Sequence, residues 1–156
     1  LECGMSTLEV KAIQAPTGYD LQMPAGHIVQ VVESTSMDTT TIASTSFQDL
    51  DLNVSITPSS TSSKILVMVD FGYTQDGGSN HQAYIQIVRD STAIGNHIVG
   101  YDTAGGDVGF GCHIQKLDAP STTSAITYKA QARTTDASSQ FRPKPSASII
   151  AMEVSG

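Results

Sequence analysis

From residue 124 to residue 134 apolar and polar side chains alternate: Ile126, Tyr128, Ala130 and Ala132 are separated by Thr127, Lys129, Gln131 and Arg133. Successive side chains of a β-strand point to opposite faces, so this run offers one face to a core and the other to water. Residues 49–57 repeat the pattern, with Leu50, Leu52, Val54 and Ile56 set against Asp51, Asn53 and Ser55. Residues 83–89, 108–115 and 148–154 alternate less cleanly, and residues 27–33 more weakly still. Residues 65–69 break the rule with five apolar side chains in succession, a run too short for a helix. Both faces of such a strand need cover, one from the core and the other from a neighbouring subunit. Ile65, Val67 and Val69 are therefore the candidate oligomer-interface residues.

Composition agrees with strands. Ser and Thr together number 36 of the 156 residues. Their hydroxyls compete with helical backbone bonds but suit turns, and Thr suits strands. Hydrophobic residues make up 39% and charged residues 15%, too apolar for a disordered chain and poor in the Lys and Glu of helix surfaces. A formal charge of −7, with eight basic residues scattered along the chain, argues against a phosphate-binding face, so nucleic acid is not expected as a partner. No run of about 18 apolar residues is present, so no membrane span is expected.

Turn chemistry punctuates the alternating runs at residues 58–62, 76–80, 102–106 and 118–121, and residues 89–92 read as a hairpin tip. About eight short strands at this spacing, with no convincing helix, predict an all-β, antiparallel sandwich of the jelly-roll type. The strands on either side of the Ser/Thr/Pro loop at residues 58–64 read as one hairpin. Residues 8–26, with Pro16-Thr17-Gly18 and Pro24-Ala25-Gly26, lack the rhythm, and residues 1–26 are expected to form an extended N-terminal arm ahead of a head domain at residues 27–156.

Three phrases carry a resemblance: MSTLEVKAIQAPTGYDLQMPAGHIVQVV from residue 5, LNVSITPSSTSSKILVMV from residue 52, and LDAPSTTSAITYKAQA from residue 117. With VRDSTAIG and the closing SIIAMEV they cover most of the chain, which in these phrases resembles virion proteins of tailed bacteriophages of the tail-fibre or head-decoration type. The resemblance implies a jelly-roll head similar to tumour-necrosis-factor-like domains, assembled as a homotrimer in the virion. It also implies that residues 5–26 attach the head to other virion proteins, a capsid or a fibre shaft. The short stretch before the first alternating run favours a compact capsid decoration or short fibre.

Chemistry-bearing motifs are sparse. Gly105, Gly106, Gly109 and Gly111 have the wrong spacing for a nucleotide loop, and no βαβ unit follows. A calcium loop starting at Asp76 would place Ile87 where an acid is required. His27, His97 and His113 are isolated in sequence, and no metal or other cofactor is assigned. There is no Gly-x-Ser-x-Gly and no His-Glu-x-x-His, so the chain is not expected to be an enzyme. Cys112 alternates with Phe110 and Ile114 and reads as a small buried hydrophobe. The alternative to a structural role is a host-glycan-binding tip, with Tyr73, Tyr101 and Phe141 in or beside Gly- or Pro-rich loops and Arg142 in a local basic spot as ligand-binding candidates.

Overall fold

The computed structural model describes residues 25–76, 81–102 and 107–156, with residues 76, 101 and 102 placed by their backbone. Residues 1–24, which hold nearly all of the expected arm, lie outside the described residues.

Eight strands follow in order: β1 (Ile28–Ser34), β2 (Gln48–Ile56), β3 (Lys64–Asp76), β4 (His81–Arg89), β5 (Thr92–Asp102), β6 (Val108–Asp118), β7 (Ile126–Thr134) and β8 (Gln140–Val154). They form two four-stranded sheets, ordered β1-β8-β3-β6 and β2-β7-β4-β5, and every neighbouring pair is antiparallel. Most connections cross from one sheet to the other, as in the jelly roll, so the sandwich predicted from the alternation is the fold observed. No helix occurs among the described residues.

The inward phase of each strand fills the space between the sheets. Leu50, Leu52, Val54 and Ile56 of β2 and Ile126, Tyr128, Ala130 and Ala132 of β7 meet Ile65, Val67 and Val69 of β3 and Ile149 and Ala151 of β8, all buried. Cys112 is also buried, 3% exposed, as its alternation predicts.

Two sequence expectations need correction. Residues 49–57 and 65–69 do not form a hairpin: β2 pairs with β7, while β3 lies between β8 and β6 in the other sheet. The residue 58–64 loop is thus a crossover between layers. Second, Ile65, Val67 and Val69 are all 0% exposed within a single chain. They face the core and are not surface residues. The other phase of β3, Leu66 and Met68, is only partly covered.

The expected turn at residues 89–92 is present as the β4–β5 hairpin, with Arg89 opposite Thr92 and Asp90 at φ 52. Asp tolerates this left-handed backbone better than most residues. The Asp90 N–H donates to the Thr127 carbonyl at 2.8 Å, and Asp90 Oδ1 accepts from the Thr127 N–H at 3.0 Å. The tip is thereby tied to the start of β7.

Candidate functional site: the outer faces of the sandwich

The four residues singled out for ligand binding do not form an exposed cluster. Tyr73 and Phe141 are 1% and 0% exposed. Their rings stack at 4.5 Å between centroids, and Phe110 stacks on Tyr73 at 5.3 Å. They are core residues because β3 and β8 continue well beyond the apolar runs that mark them in the sequence, carrying both rings between the sheets. Tyr101 lies in β5 opposite Gln82, and its side chain is outside the described residues. Arg142 is partly buried and held by Gln140 Oε1, at 2.7 Å from Nη2, and by the Asp107 carboxylate. A platform of exposed aromatic rings is therefore not what Tyr73 and Phe141 provide.

The accessible surface belongs largely to the outward phases of the two sheets, which differ. On the β2-β7-β4-β5 sheet the outward side chains hydrogen-bond across strands. Gln86 Nε2 donates to Gln131 Oε1 at 2.6 Å, Gln131 Nε2 to Asp49 Oδ1 at 2.7 Å, and Lys129 Nζ pairs with Asp49 at 2.9 Å. One row further, the Arg133 guanidinium lies 4.0 Å from the Tyr84 ring centroid and 5.3 Å from that of Phe47. Tyr84 is opposite Arg133 on one side and Ile98, 59% exposed, on the other. This face is mainly polar and internally paired, the usual condition of the wet side of an antiparallel sheet. Beside it the β1–β2 connection forms an open groove of about 350 Å³ lined by Asp38, Thr40, Ser44 and Gln48 among others.

The outward phase of the β1-β8-β3-β6 sheet carries apolar rows. Val31 is opposite Met152, Met152 opposite Leu66, and Leu66 opposite Leu117, giving one apolar row across all four strands. Val31 and Leu117 are 52% and 51% exposed. The next row, Glu33, Ile150, Met68 and Gln115, adds two more partly covered apolar side chains.

Between the sheets sit two polar devices that sequence reasoning did not pick out. Asp118 of β6 accepts from Arg89 Nη1 of β4 and from the Tyr128 hydroxyl of β7, both at 2.7 Å, and so clamps one sheet to the other. Glu153 of β8, 0% exposed, takes hydrogen bonds from Gln30 Nε2 at 2.6 Å, the Ser59 N–H at 2.7 Å and the Ser59 hydroxyl at 2.6 Å. Burial pushes the Glu153 carboxyl up, but hydrogen bonds from Ser59, Ser63 and Gln30 outweigh it and hold the group at about 2. The signal for Glu153 was present in the sequence. It shares the inward phase of Ile149 and Ala151, and the nearest Ser-rich loop can supply donors.

No protein-family profile matches the chain, and no curated protein matches it in sequence. Solved structures do match in fold. A chain of the infectious bursal disease virus Gx strain structure superposes with a TM-score of 0.52 at 15% identity, over 92% of this chain and 37% of that one. A chain of the T13 viral particle of the same virus gives a TM-score of 0.49 at 12% identity, over 92% and 35%. The shared property is the fold. This chain spans little more than a third of the length of these two chains.

Proposed function

We propose that this chain is a non-enzymatic virion structural protein that assembles with copies of itself, an exterior accessory of a phage particle in the form of a capsid decoration or short fibre. The observation that carries the reading is the contrast between the two outer faces of one jelly roll, one polar and internally hydrogen-bonded, the other crossed by the row Val31–Met152–Leu66–Leu117. A sandwich that leaves a sheet face apolar is suited to association rather than to life as an isolated domain. The fold likeness to a chain of a virus structure supports the virion setting, and the phrases at residues 5–32, 52–69 and 117–132 support the phage setting.

In this reading the head is a homotrimer whose three copies turn that apolar face toward a common axis, and residues 5–26 bind a capsid or fibre-shaft protein. The arm would leave the head where the Gly26 N–H donates to the Ser155 carbonyl at 2.8 Å, next to the edge strand β1. The glycan-binding alternative is not carried forward, because Tyr73 and Phe141 are interior.

Quantitative mass spectrometry of purified particles tests the reading. The chain is expected in a multiple of three copies, hundreds for a decoration and on the order of a dozen for a fibre, since closed symmetric assemblies repeat by their symmetry. Deletion of residues 5–24 should leave the head folded and abolish incorporation. Particles that lack the chain altogether, or that incorporate the deletion normally, would overturn the virion role and the arm respectively.

A further inference from the structure

We infer that the self-association surface is the outward face of β1, β8, β3 and β6, centred on Val31, Met152, Leu66 and Leu117, and that its occupant is a second copy of this chain. The inference rests on the self-assembly reading above and specifies which surface performs it.

The strand with five consecutive apolar residues is the starting point. Its inward half, Ile65, Val67 and Val69, is satisfied inside one chain, so the demand for cover falls on Leu66 and Met68. The strand register extends them into two rows: Leu66 joins Met152, Val31 and Leu117, and Met68 joins Ile150. Solvent-facing positions of an antiparallel sheet are ordinarily polar, as the other sheet of this protein shows with Gln86, Gln131 and Asp49. Six apolar side chains in two adjacent rows are a continuous patch, not scattered exposure.

Charge identifies the occupant. The chain carries −7, so most ways of bringing two copies together oppose carboxylates. Asp49 and Asp51 lie in β2, Asp90 at the β4–β5 turn and Asp38 in the connection leading to β2, all exposed and all belonging to the other sheet or its loops. The exposed outward charges in or beside the two rows are Glu33 of β1, at the end of the second row, and Lys64 of β3, which cancel, and Lys116 lies at the β6 rim. Asp70, further along β3, has His113 at 3.3 Å. This face is locally near neutral on an acidic molecule. Copies of the same chain can bury their equivalent faces around a common axis without burying an unpaired charge.

Light scattering and sedimentation of the full chain test the inference. Val31→Asp and Leu117→Asp change positions that are about half exposed in the single chain, so their effect on folding should be small and their effect on association large. Ile98→Asp, at a somewhat more exposed position on the polar sheet, is the control. The expected result is a wild-type oligomer, self-association weakened roughly 100-fold by either face variant, and an unchanged control. A wild-type oligomer whose mass is unaffected by both face variants would overturn this surface and leave the self-assembly reading standing. A wild-type chain that stays monomeric at high micromolar concentration would overturn both. If an Asp variant loses its β-sheet circular dichroism, Leu117→Cys on a Cys3→Ser background decides instead. A short bismaleimide should then link copies through residue 117, and recovery of unlinked chain from the intact oligomer would overturn the inference.

Discussion

Glu153 and Ser59, 94 positions apart in the chain, are joined by two hydrogen bonds to one carboxylate oxygen, the Ser59 N–H at 2.7 Å and its hydroxyl at 2.6 Å. The pair fixes the crossover between the sheets, because Ser59 lies in the loop from β2 to β3 and Glu153 near the end of β8. A carboxylate with these donors is an interior acceptor for backbone that the crossover would otherwise leave unpaired.

The sign of its pH dependence follows. The folded pKa, about 2, lies below the ordinary value of 4.5, so the ionised group stabilises the fold fully above pH 4.5, and that stability is lost as the pH falls from 4.5 toward 2. The shift corresponds to stabilisation of roughly 3 kcal/mol at neutral pH. Glu153→Gln should lose about that amount in urea denaturation at pH 7 and much less at pH 2. A variant whose deficit is equal at both pH values would remove the carboxylate's charge from the account.

Gly100 and Tyr73 make a second testable pair. A Cβ placed on Gly100 would lie 2.3 Å from the Tyr73 hydroxyl and 3.0 Å from Gln75 Oε1, too close for either buried side chain to ignore. The Tyr73 hydroxyl has no hydrogen-bond partner among the described residues. Gly100→Ala should therefore destabilise by roughly 1–3 kcal/mol as overpacking, whereas Tyr73→Phe should be neutral or mildly stabilising because it removes an unpaired buried polar atom. In thermal unfolding, Tyr73→Phe should recover much of the Gly100→Ala loss. Strict additivity of the two would show that the hydroxyl is not the obstacle.

How much of this was legible depended on where the alternation survives. β2 and β7 were readable because one phase of each is wholly apolar and the other polar. β5 was not, because its register with β4 slips at Ala83/Tyr84 and again at Ile87/Val88, and each irregularity scrambles the period-two pattern. The first half of β8 was hidden by Pro143 and Pro145, which argue against a strand. They are accommodated because the β3–β8 register jumps between Phe71 and Tyr73 there, and β1 pairs β8 only from Ile149 onward. The hairpin misreading of residues 49–69 has a different origin: alternation says which residues are in strands but not which strands are neighbours. The apolar run at residues 65–69 correctly signalled a strand; one of its faces is covered by the core and the other only partly. Which phase of that run meets the core could not be read from it, since phase relative to the core needs the other sheet in place; Ile65, Val67 and Val69 prove to be the inward phase.

The Asp118 clamp offers a third prediction. Asp118→Ala would leave the Tyr128 hydroxyl and the Arg89 guanidinium, both on the opposite sheet, without their shared acceptor. The Tyr128 side chain is fully buried, so the cost should be about 2 kcal/mol, most of it the penalty for the stranded hydroxyl. Tyr128→Phe in the same chain should make the Asp118→Ala loss smaller. Equal losses in both backgrounds would show that the two groups act independently.

Cys112 supplies a prediction about opening rather than strength. The residue is 3% exposed, and burial, reinforced by the nearby Asp70 charge, pushes its thiol up to about 12. At pH 7 the thiolate, which is the reacting species, is nearly absent, and the side chain is buried while β6 stays paired with β3. On a Cys3→Ser background, an aromatic disulfide reagent should therefore label the native chain at the rate at which this part of the sandwich opens, far below the rate for an unfolded thiol. Sub-denaturing urea should raise that rate steeply, because labelling then follows the population of open molecules. If the face formed by β1, β8, β3 and β6 is buried in an oligomer, labelling should also slow as protein concentration rises, since opening β6 must disrupt the contact made by Leu117. Labelling that is rapid in the native state, or indifferent to concentration through the association range, would contradict the buried thiol in the first case and the coupling of β6 to assembly in the second.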